Sequence, residues 1–288
     1  MSGFNYSQRA YTLVELLVGL FLGLFIIAMS LTYMVSSSQS FRVQTNESLI
    51  QENARFALEI LTQNFRLAGL NAKENLLLNA TGVVAANICS ASEAGVADGN
   101  LGTGACTKDG ANNNTDNNSD RIAIDYIIDA FGEPSFTATG CNGQDIVVAT
   151  NAARHIVSEF WTADIDGDGI RSLYCQSFDF EASAAIGTAM PLVDGVDRMQ
   201  IQYGVDADDN GIIERYQSFT NLGAANIDTV KTIRIAMLMN SGLAAATAEI
   251  DGTDTRSYTL LDAAATSFSD GRFRQVFSTT VMMPNAFN

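Results

Sequence analysis

The sequence is poor in positive charge, and this absence narrows the functional classes first. Its 288 residues contain 16 Lys and Arg against 32 Asp and Glu, which gives a formal net charge of −16 at pH 7. Binding to a nucleic-acid backbone needs clustered cations, whereas these are spread thinly along the chain. An acidic body also repels nucleic acid at long range. We therefore expect no direct nucleic-acid binding by this chain.

Residues that carry catalytic chemistry are scarce as well. The one histidine, His155, lies in a strand-like run, where a histidine is more often structural than a catalytic base. The sequence has no G-x-S-x-G, H-E-x-x-H, phosphate-loop or dinucleotide-binding pattern. None of the four cysteines forms a close C-x-x-C pair, which disfavours a zinc site. We expect the protein not to be an enzyme.

One long apolar run stands out near the start, within RAYTLVELLVGLFLGLFIIAMSLTYMV at residues 9–35. No charge occurs from Leu16 to Val35, and a helix of that length is roughly 30 Å long, enough to cross a bilayer. A signal peptide has a shorter apolar core followed by a small-residue cleavage site, and none follows Val35. A plain anchor explains the length but leaves Glu15 at the edge of the run, where a carboxylate in lipid needs a partner.

The residues around Glu15 resemble the processing site of type IV prepilins and pseudopilins: Arg9, Ala10, Tyr11, then Thr-Leu-Val, then Glu15. The resemblance implies a dedicated prepilin peptidase that cuts between Ala10 and Tyr11 and methylates the new amine. The family usually has Gly and Phe at the two positions that flank the cut. Cleavage would place a cationic amine at the start of an apolar helix, and Glu15 of one subunit can neutralise the Tyr11 amine of its neighbour. Glu15 is therefore the candidate assembly residue.

Beyond the apolar run, the sequence predicts that the helix continues in amphipathic form to about Gly69, a natural C-terminal cap. Apolar residues recur there at spacings of three and four. These are Ile50, Ala54, Ala57, Leu58, Leu61, Phe65 and Ala68. The chain then divides into a leader at 1–10, a transmembrane assembly helix at 11–35, its amphipathic continuation at 36–70 and an exported globular head at 71–288.

Short apolar or alternating segments in the head predict strands. They are Arg121–Ile128, Asp145–Ala149, His155–Trp161, Met199–Val205, Ile212–Tyr216, Lys231–Met239 and Arg272–Met283. The polar stretch TKDGANNNTDNNSD at 107–120 predicts a mobile surface loop. The expected fold class is α+β, with the long helix packed on an antiparallel sheet.

The four cysteines indicate disulfides, because an exported domain experiences an oxidising compartment. Four cysteines allow three pairings. We favour the two sequential pairs, Cys89 with Cys106 and Cys141 with Cys175; reduced buried thiols are the alternative.

Two acidic loops, DIDGDGI and DADDNGIIE, match the opening D-x-[DN]-x-[DN]-G of a calcium loop. Neither has the closing Glu at position twelve, so neither is a complete EF-hand. A polar hairpin turn, which favours Asp, Asn and Gly without any metal, is the open alternative. The candidate ligands for Ca²⁺ are Asp164, Asp166, Asp168 and Ile170 in the first loop and Asp206, Asp208, Asn210, Ile212 and Glu214 in the second.

Three further segments resemble PilW-type minor pilins of type IV pili: residues 48–70, 191–216 and 270–285. The resemblance implies a low-abundance pilus subunit that primes assembly or lies at the tip, and so supports motility, adhesion or DNA uptake. The implied partners are other minor pilins, the major pilin, the prepilin peptidase and the inner-membrane assembly machinery. The implied location is the inner membrane, with the head in the periplasm, and then the pilus surface. A type II secretion pseudopilin and an uncleaved, membrane-anchored calcium-binding adhesin are the alternatives.

Overall fold

The computed structural model describes residues 12–70, 107–110, 118–130, 132–165, 167–182, 184–222, 227, 229–242 and 255–287. The chain divides into two compact units, residues 1–45 and 46–288. One helix, α1 (Leu13–Phe65), begins in the first unit and ends in the second.

The first unit contains the apolar part of α1. The large hydrophobic side chains between Leu13 and Val35 are all more than half exposed. The most apolar stretch of the helix is long enough to span a bilayer, and none of it is buried against the rest of the chain. By length and composition α1 is therefore able to cross a membrane.

In the second unit, α1 packs a narrow apolar stripe on the head. Its buried residues are Ile50, Ala54, Ala57, Leu61 and Phe65. This stripe agrees with the predicted one, except that Leu58 is only partly buried. Burial of each of the larger side chains contributes about 2–3 kcal/mol relative to exposure.

The end of α1 differs slightly from the prediction. The helix stops at Phe65, and residues 66–70 form turns. Gly69 has a φ of +72°, a conformation that glycine adopts without steric cost. The side-chain amide of Asn285 donates hydrogen bonds to the carbonyl oxygens of Arg66 and Ala68, at 3.1 and 3.0 Å. A distant residue therefore supplies donors that a helix end otherwise lacks.

The described strands form two four-stranded and two two-stranded antiparallel sheets. Sheet one has the order β1 (Ile122–Asp129), β4 (Ala153–Ala163), β5 (Ser172–Asp179), β6 (Ala184–Asp194). Sheet two has the order β12 (Arg274–Met282), β9 (Val230–Asn240), β7 (Val196–Val205), β8 (Arg215–Gln217). The small sheets pair β2 (Phe136–Thr139) with β3 (Asp145–Val148) and β10 (Arg256–Tyr258) with β11 (Thr266–Phe268). Short helical turns in the described part of the head include α2 (Phe219–Leu222) and a 3₁₀ turn (Pro284–Phe287).

The chain changes from sheet one to sheet two at a single residue, Gly195. Its N–H donates to the carbonyl oxygen of Arg171, and its own carbonyl accepts from the Asn240 N–H at 2.7 Å. Gly195 has a φ of +80°, and a Cβ atom there would lie 2.7 Å from the Asn240 carbonyl oxygen. Only glycine fits this corner without strain.

The core joins the two large sheets to α1. One cluster of buried side chains includes Leu61 and Phe65 from α1, Phe160 and Leu173 from sheet one, and Ile235 from sheet two among others. The rings of Phe65 and Phe160 meet edge to face with centroids 5.9 Å apart. The fold is thus a long N-terminal helix with an antiparallel β-rich head, as the sequence predicts, although its strands divide between two large sheets.

Candidate functional site

The second acidic loop links β7 to β8 and folds around Asp206. This aspartate is buried, and its carboxylate accepts the N–H groups of Asn210 and Gly211 at 3.1 and 2.7 Å. The Glu214 N–H donates to the Val205 carbonyl and closes the loop at 3.0 Å. The predicted return strand Ile212–Tyr216 is therefore wrong in its bounds: residues 212–214 belong to the loop, and pairing with β7 begins at Arg215.

Three carboxylates converge in this loop. Asp206, Asp208 and Glu214 each offer one oxygen, and these oxygens lie within 4.8 Å of one another. Among the described residues this is the single such group of three acidic, histidine or cysteine side chains. Asn210 donates to the Asp208 carboxylate at 3.0 Å, and Glu214 accepts the Ala207 N–H at 2.9 Å. These bonds hold the exposed acids Asp208 and Glu214 near the buried one.

The first acidic loop forms a similar turn. The Asp164 carboxylate accepts the N–H groups of Gly167 and Gly169 at 2.9 and 3.0 Å. The N–H of Ile170 donates to Asp168 at 2.7 Å, as that of Ile212 donates to Asn210 at 2.8 Å in the second loop. Positions four and six have positive φ in both loops: Gly167 and Gly169 in the first, Asp209 and Gly211 in the second. Asp166 lies outside the described residues.

The donor set of the second loop fits a hard cation. Ca²⁺ takes six to eight oxygen ligands, and three carboxylates supply several from one side, with water able to complete the shell. Asp209 does not join this group, because it pairs with Lys231 at 2.9 Å. In the first loop the Gly169 carbonyl accepts from Arg272 at 2.8 Å, which places a guanidinium there. Position twelve of that loop is Cys175, which is disulfide-bonded and is not a ligand.

The predicted assembly residue, Glu15, lies in the first turn of α1 and is exposed. Its N–H donates to the Thr12 hydroxyl at 3.3 Å. Thr12 and Glu15 thus have the spacing of a capping box. The prediction of Glu15 as an assembly residue did not take this signal into account. Ala10 and Tyr11, the predicted cleavage positions, lie outside the described residues.

The disulfide between Cys141 and Cys175 is confirmed, with Cα atoms 6.0 Å apart. It joins the loop before β3 to β5 within sheet one. Cys89 and Cys106 lie outside the described residues, so their pairing stays a prediction.

A buried carboxylate that sequence reasoning missed lies at the end of the polar stretch 107–120. Asp120 is 4 % exposed, and its oxygens accept the N–H groups of Gly110 and Ile201, both at 2.7 Å. Burial is the main cause that raises the pKa of Asp120 from 3.8 to about 7; the two hydrogen bonds oppose the shift, and the charges of Asp109 and Asp262 add to it. The predicted surface loop is therefore wrong at its described ends, 107–110 and 118–120, which are tied to the head.

These ends border a polar cavity of about 210 Å³. Its lining includes Asp109, Asp120, Arg198, Gln200, Ser218 and Asp262. Arg198 is 1 % exposed and donates to the carbonyl oxygens of Asn118 and Ala264, at 3.0 and 2.9 Å. The local pattern of polar residues does not predict that the ends of this stretch are buried. Their contacts come from β7, about 80 residues further along the chain.

His155 occupies a structural setting. Its Nε2 lies 3.1 Å from a carboxylate oxygen of the buried Asp125, and its ring lies 4.4 Å from that of Phe180. The pKa of Asp125 is raised by burial, and its bond to His155 opposes this shift. The imidazole therefore serves as the polar partner of a carboxylate in sheet one.

The architecture, a long N-terminal helix with an exposed apolar part followed by an antiparallel β-rich head, is the one expected from the resemblance to pilins. Residues 160–285 match the family described as Type IV Pilus-assembly protein W. This segment is less than half of the chain, so the match shows a likeness to that family over these residues. The match contains both acidic loops.

A solved structure, a type IV-like pilin from Thermus thermophilus, is similar to the chain at 14 % sequence identity and a TM-score of 0.42. That comparison covers 86 % of this chain and 100 % of the other. None of the curated proteins compared with the sequence matches it.

Proposed function

We propose that the protein is a minor pilin that takes part in type IV pilus assembly, in the priming complex or at the tip. The PilW match over residues 160–285, in a chain whose first helix has an exposed, uncharged apolar run, carries this proposal. Its role in motility, adhesion or DNA uptake would follow from the pilus that it helps to build.

The apolar part of α1 would anchor the chain in the inner membrane, with the head in the periplasm. Removal of residues 1–10 would leave the amine of Tyr11 at the start of this helix. An amine and a carboxylate are each costly in lipid when alone, and pairing offsets that cost. Glu15 would therefore favour a position beside the Tyr11 amine of a neighbouring subunit, a major pilin or another minor pilin.

The matched variants Glu15→Gln and Glu15→Ala separate this role from helix capping. Glutamine can serve at the third position of a capping box but carries no charge. If charge pairing drives assembly, we expect both variants to lower the number of surface pili at least tenfold while membrane insertion persists. Normal piliation with Glu15→Gln and loss with Glu15→Ala alone would assign the residue to capping.

The N-terminal mass of the membrane-extracted protein tests processing directly. A chain that begins at methylated Tyr11 supports the prepilin proposal, and a chain that keeps its leader favours the anchored adhesin. Deletion of the gene distinguishes the remaining alternative, because a type II secretion pseudopilin would be needed for protein secretion instead of piliation.

We also propose that the second acidic loop binds Ca²⁺ through Asp206, Asp208 and Glu214. The convergence of their oxygens supports this proposal. The ion would stiffen the connection between β7 and β8. For the first loop, calcium stays a prediction from the sequence.

Thermal unfolding in excess Ca²⁺ and in chelator tests the calcium proposal. Ligand at about 100 times its dissociation constant adds about 2.7 kcal/mol, which is roughly 5–10 °C in Tm for a domain of this size. Asp208→Asn should remove most of this difference in Tm, because it removes the charge of one proposed ligand. The loop should keep its fold, since Asp208 is exposed and does not hold the turn. Asp209→Asn is the matched control, because Asp209 is exposed in the same loop but pairs with Lys231 and does not join the three carboxylates. Equal Tm values of the parent under both conditions would rule out the site.

A further inference from the structure

Unpaired sheet edges expose backbone hydrogen-bonding groups that can bind another strand, and proteins usually protect them. The two large sheets have four edge strands, β1, β6, β8 and β12. Three of these four carry a recognisable protection within the described part of the chain. The fourth, β12, differs from the others.

In sheet one, chain segments cover β1. The Gly69 N–H donates to the Asp125 carbonyl at 2.9 Å, and the Ile127 N–H donates to the Leu70 carbonyl at 2.8 Å. Lys108 forms a bridge with Arg121 just before the same strand.

The remaining edge of sheet one, β6, and the short edge of sheet two, β8, are protected in other ways. β6 contains Pro191 and has two register shifts against β5. The side-chain amide of Asn142 donates to the carbonyl oxygens of Ile186 and Thr188 in β6, at 2.7 and 3.0 Å. β8 is three residues long and begins with Arg215.

Among the described residues, β12 has none of these protections. It pairs with β9 over nine consecutive positions without a register shift. β12 also begins with an arginine, Arg274, but this side chain is buried in ion pairs with Asp197 and Asp270. From Gln275 to Met283 the sequence QVFSTTVMM contains no charge, proline or glycine. Val276 and Met282 are 39 % and 57 % exposed. Such an edge is ready to pair with a further strand.

The hydrogen bonds at its ends fix which backbone groups point away from β9. The Met283 N–H donates to the Lys231 carbonyl at 3.0 Å, and the Ser241 N–H donates to the Phe273 carbonyl at 3.1 Å. Odd-numbered residues therefore bond towards β9, since the pattern alternates along an antiparallel pair. The N–H and C=O groups of Val276, Ser278, Thr280 and Met282 point to the open edge.

These four residues read the same in both directions: apolar, hydroxyl, hydroxyl, apolar. We propose that the β12 edge pairs with the β12 edge of a second copy of this chain, antiparallel about a two-fold axis at Thr279. Val276 then lies opposite Met282, and Ser278 lies opposite Thr280. This is an isologous contact, in which one surface complements itself.

The charge pattern supports a second copy as the occupant. Like charges that lie opposite each other destabilise strand pairs, and this edge brings none together. The net charge of −16 on the remainder of the chain opposes the association, so we expect the dimer to form only where salt screens this repulsion. A single strand pair also buries less area than the roughly 1,200–2,000 Å² of stable interfaces, so the association is concentration-dependent. The inference concerns this edge alone and does not rest on the proposed pilus role.

Disulfide trapping of the full-length chain in detergent tests the register. Thr279→Cys places two thiols at a non-hydrogen-bonded pair, where Cα atoms are about 4.5 Å apart. Ser278→Cys is the matched control, because Ser278 of one copy faces Thr280 of the other, and the two thiols of that variant would be diagonal, about 7–8 Å apart at Cα. We expect at least tenfold faster cross-linking with Thr279→Cys, and rapid cross-linking when Ser278→Cys and Thr280→Cys chains are mixed.

Sedimentation velocity of the parent and of two lysine variants tests the association itself. Ser278→Lys should abolish the dimer, whereas Thr188→Lys on the other exposed edge should leave it intact. The dimer should strengthen as salt rises. A monomer at all concentrations, equal cross-linking of Ser278→Cys, or a dimer that survives Ser278→Lys would overturn the proposal. If the parent is monomeric and its Ser278→Lys variant lowers the number of surface pili, the edge binds a strand of another protein. That result would likewise overturn the proposal of a second copy.

Discussion

The buried carboxylate of Asp120 makes the stability of the head depend on pH in an unusual direction. Its pKa is about 7 in the folded protein against 3.8 for an ordinary aspartate, mainly because burial penalises the charged form. The folded state therefore keeps a proton that the unfolded state has lost between about pH 4 and pH 7. Since stability falls with pH wherever the folded state binds more protons, this group lowers the free energy of unfolding across that range.

The size of the effect follows from the same two pKa values. A tenfold difference in proton affinity corresponds to about 1.4 kcal/mol. Asp120 therefore lowers the free energy of unfolding by about 4 kcal/mol between pH 4 and pH 8. Asp120→Asn removes the titration while keeping one oxygen acceptor for a backbone N–H. Other carboxylates also titrate, and the difference between parent and variant isolates the contribution of this one.

Urea unfolding of the full-length protein in mild detergent measures this difference. The one tryptophan, Trp161, is 3 % exposed and reports on the head through its fluorescence. We expect the parent to lose about 4 kcal/mol more than Asp120→Asn between pH 4 and pH 8. If the stability difference between parent and variant stays constant with pH, or if the parent gains stability relative to the variant as pH rises, the assignment of this pKa would be refuted.

Three further substitutions test the fold. Replacement of both Cys141 and Cys175 by Ser should lower the free energy of unfolding by about 2–4 kcal/mol, because the closed loop contains 34 residues; reduction of the parent should reproduce the loss in a urea titration. Phe65→Ala should cost about 3–5 kcal/mol in the same titration, since the ring is fully buried, and a cost below about 1 kcal/mol would contradict its place in the core. Gly195→Ala should lower Tm by several degrees, because the new Cβ would meet the Asn240 carbonyl; an unchanged Tm would show that the corner adapts.

Periodicity was sufficient for the elements with one buried face. The stripe from Ile50 to Phe65 follows directly from residue spacing. The alternation around Ile201 correctly predicts a strand, but the prediction that β7 is half-buried is wrong, because nearly all of its residues are buried. β5 has every residue buried, so it lacks the alternation that identifies a half-buried strand. β6 contains Gly187 and Pro191, which are typical of turns, so its sequence does not indicate a strand.

The candidate site was also predictable from the sequence only in part. Within one loop, local sequence is enough: the spacing of Asp206 and Asp208 places their oxygens together because the turn is made by adjacent residues. Burial of Asp120 depends on contacts with β7, which no local pattern encodes. The cap at Thr12 was available from its spacing to Glu15 and was missed.

The hydrogen bonds from Asn285 to the end of α1 constrain the order in which the protein matures. Asn285 follows Arg66 by 219 residues. During synthesis, the carbonyl oxygens of Arg66 and Ala68 must remain without this donor until more than two hundred later residues have emerged. The turns that follow α1 therefore reach their final form late, and a ribosome that stalls before residue 285 would release a chain in which these carbonyl oxygens still lack their donor.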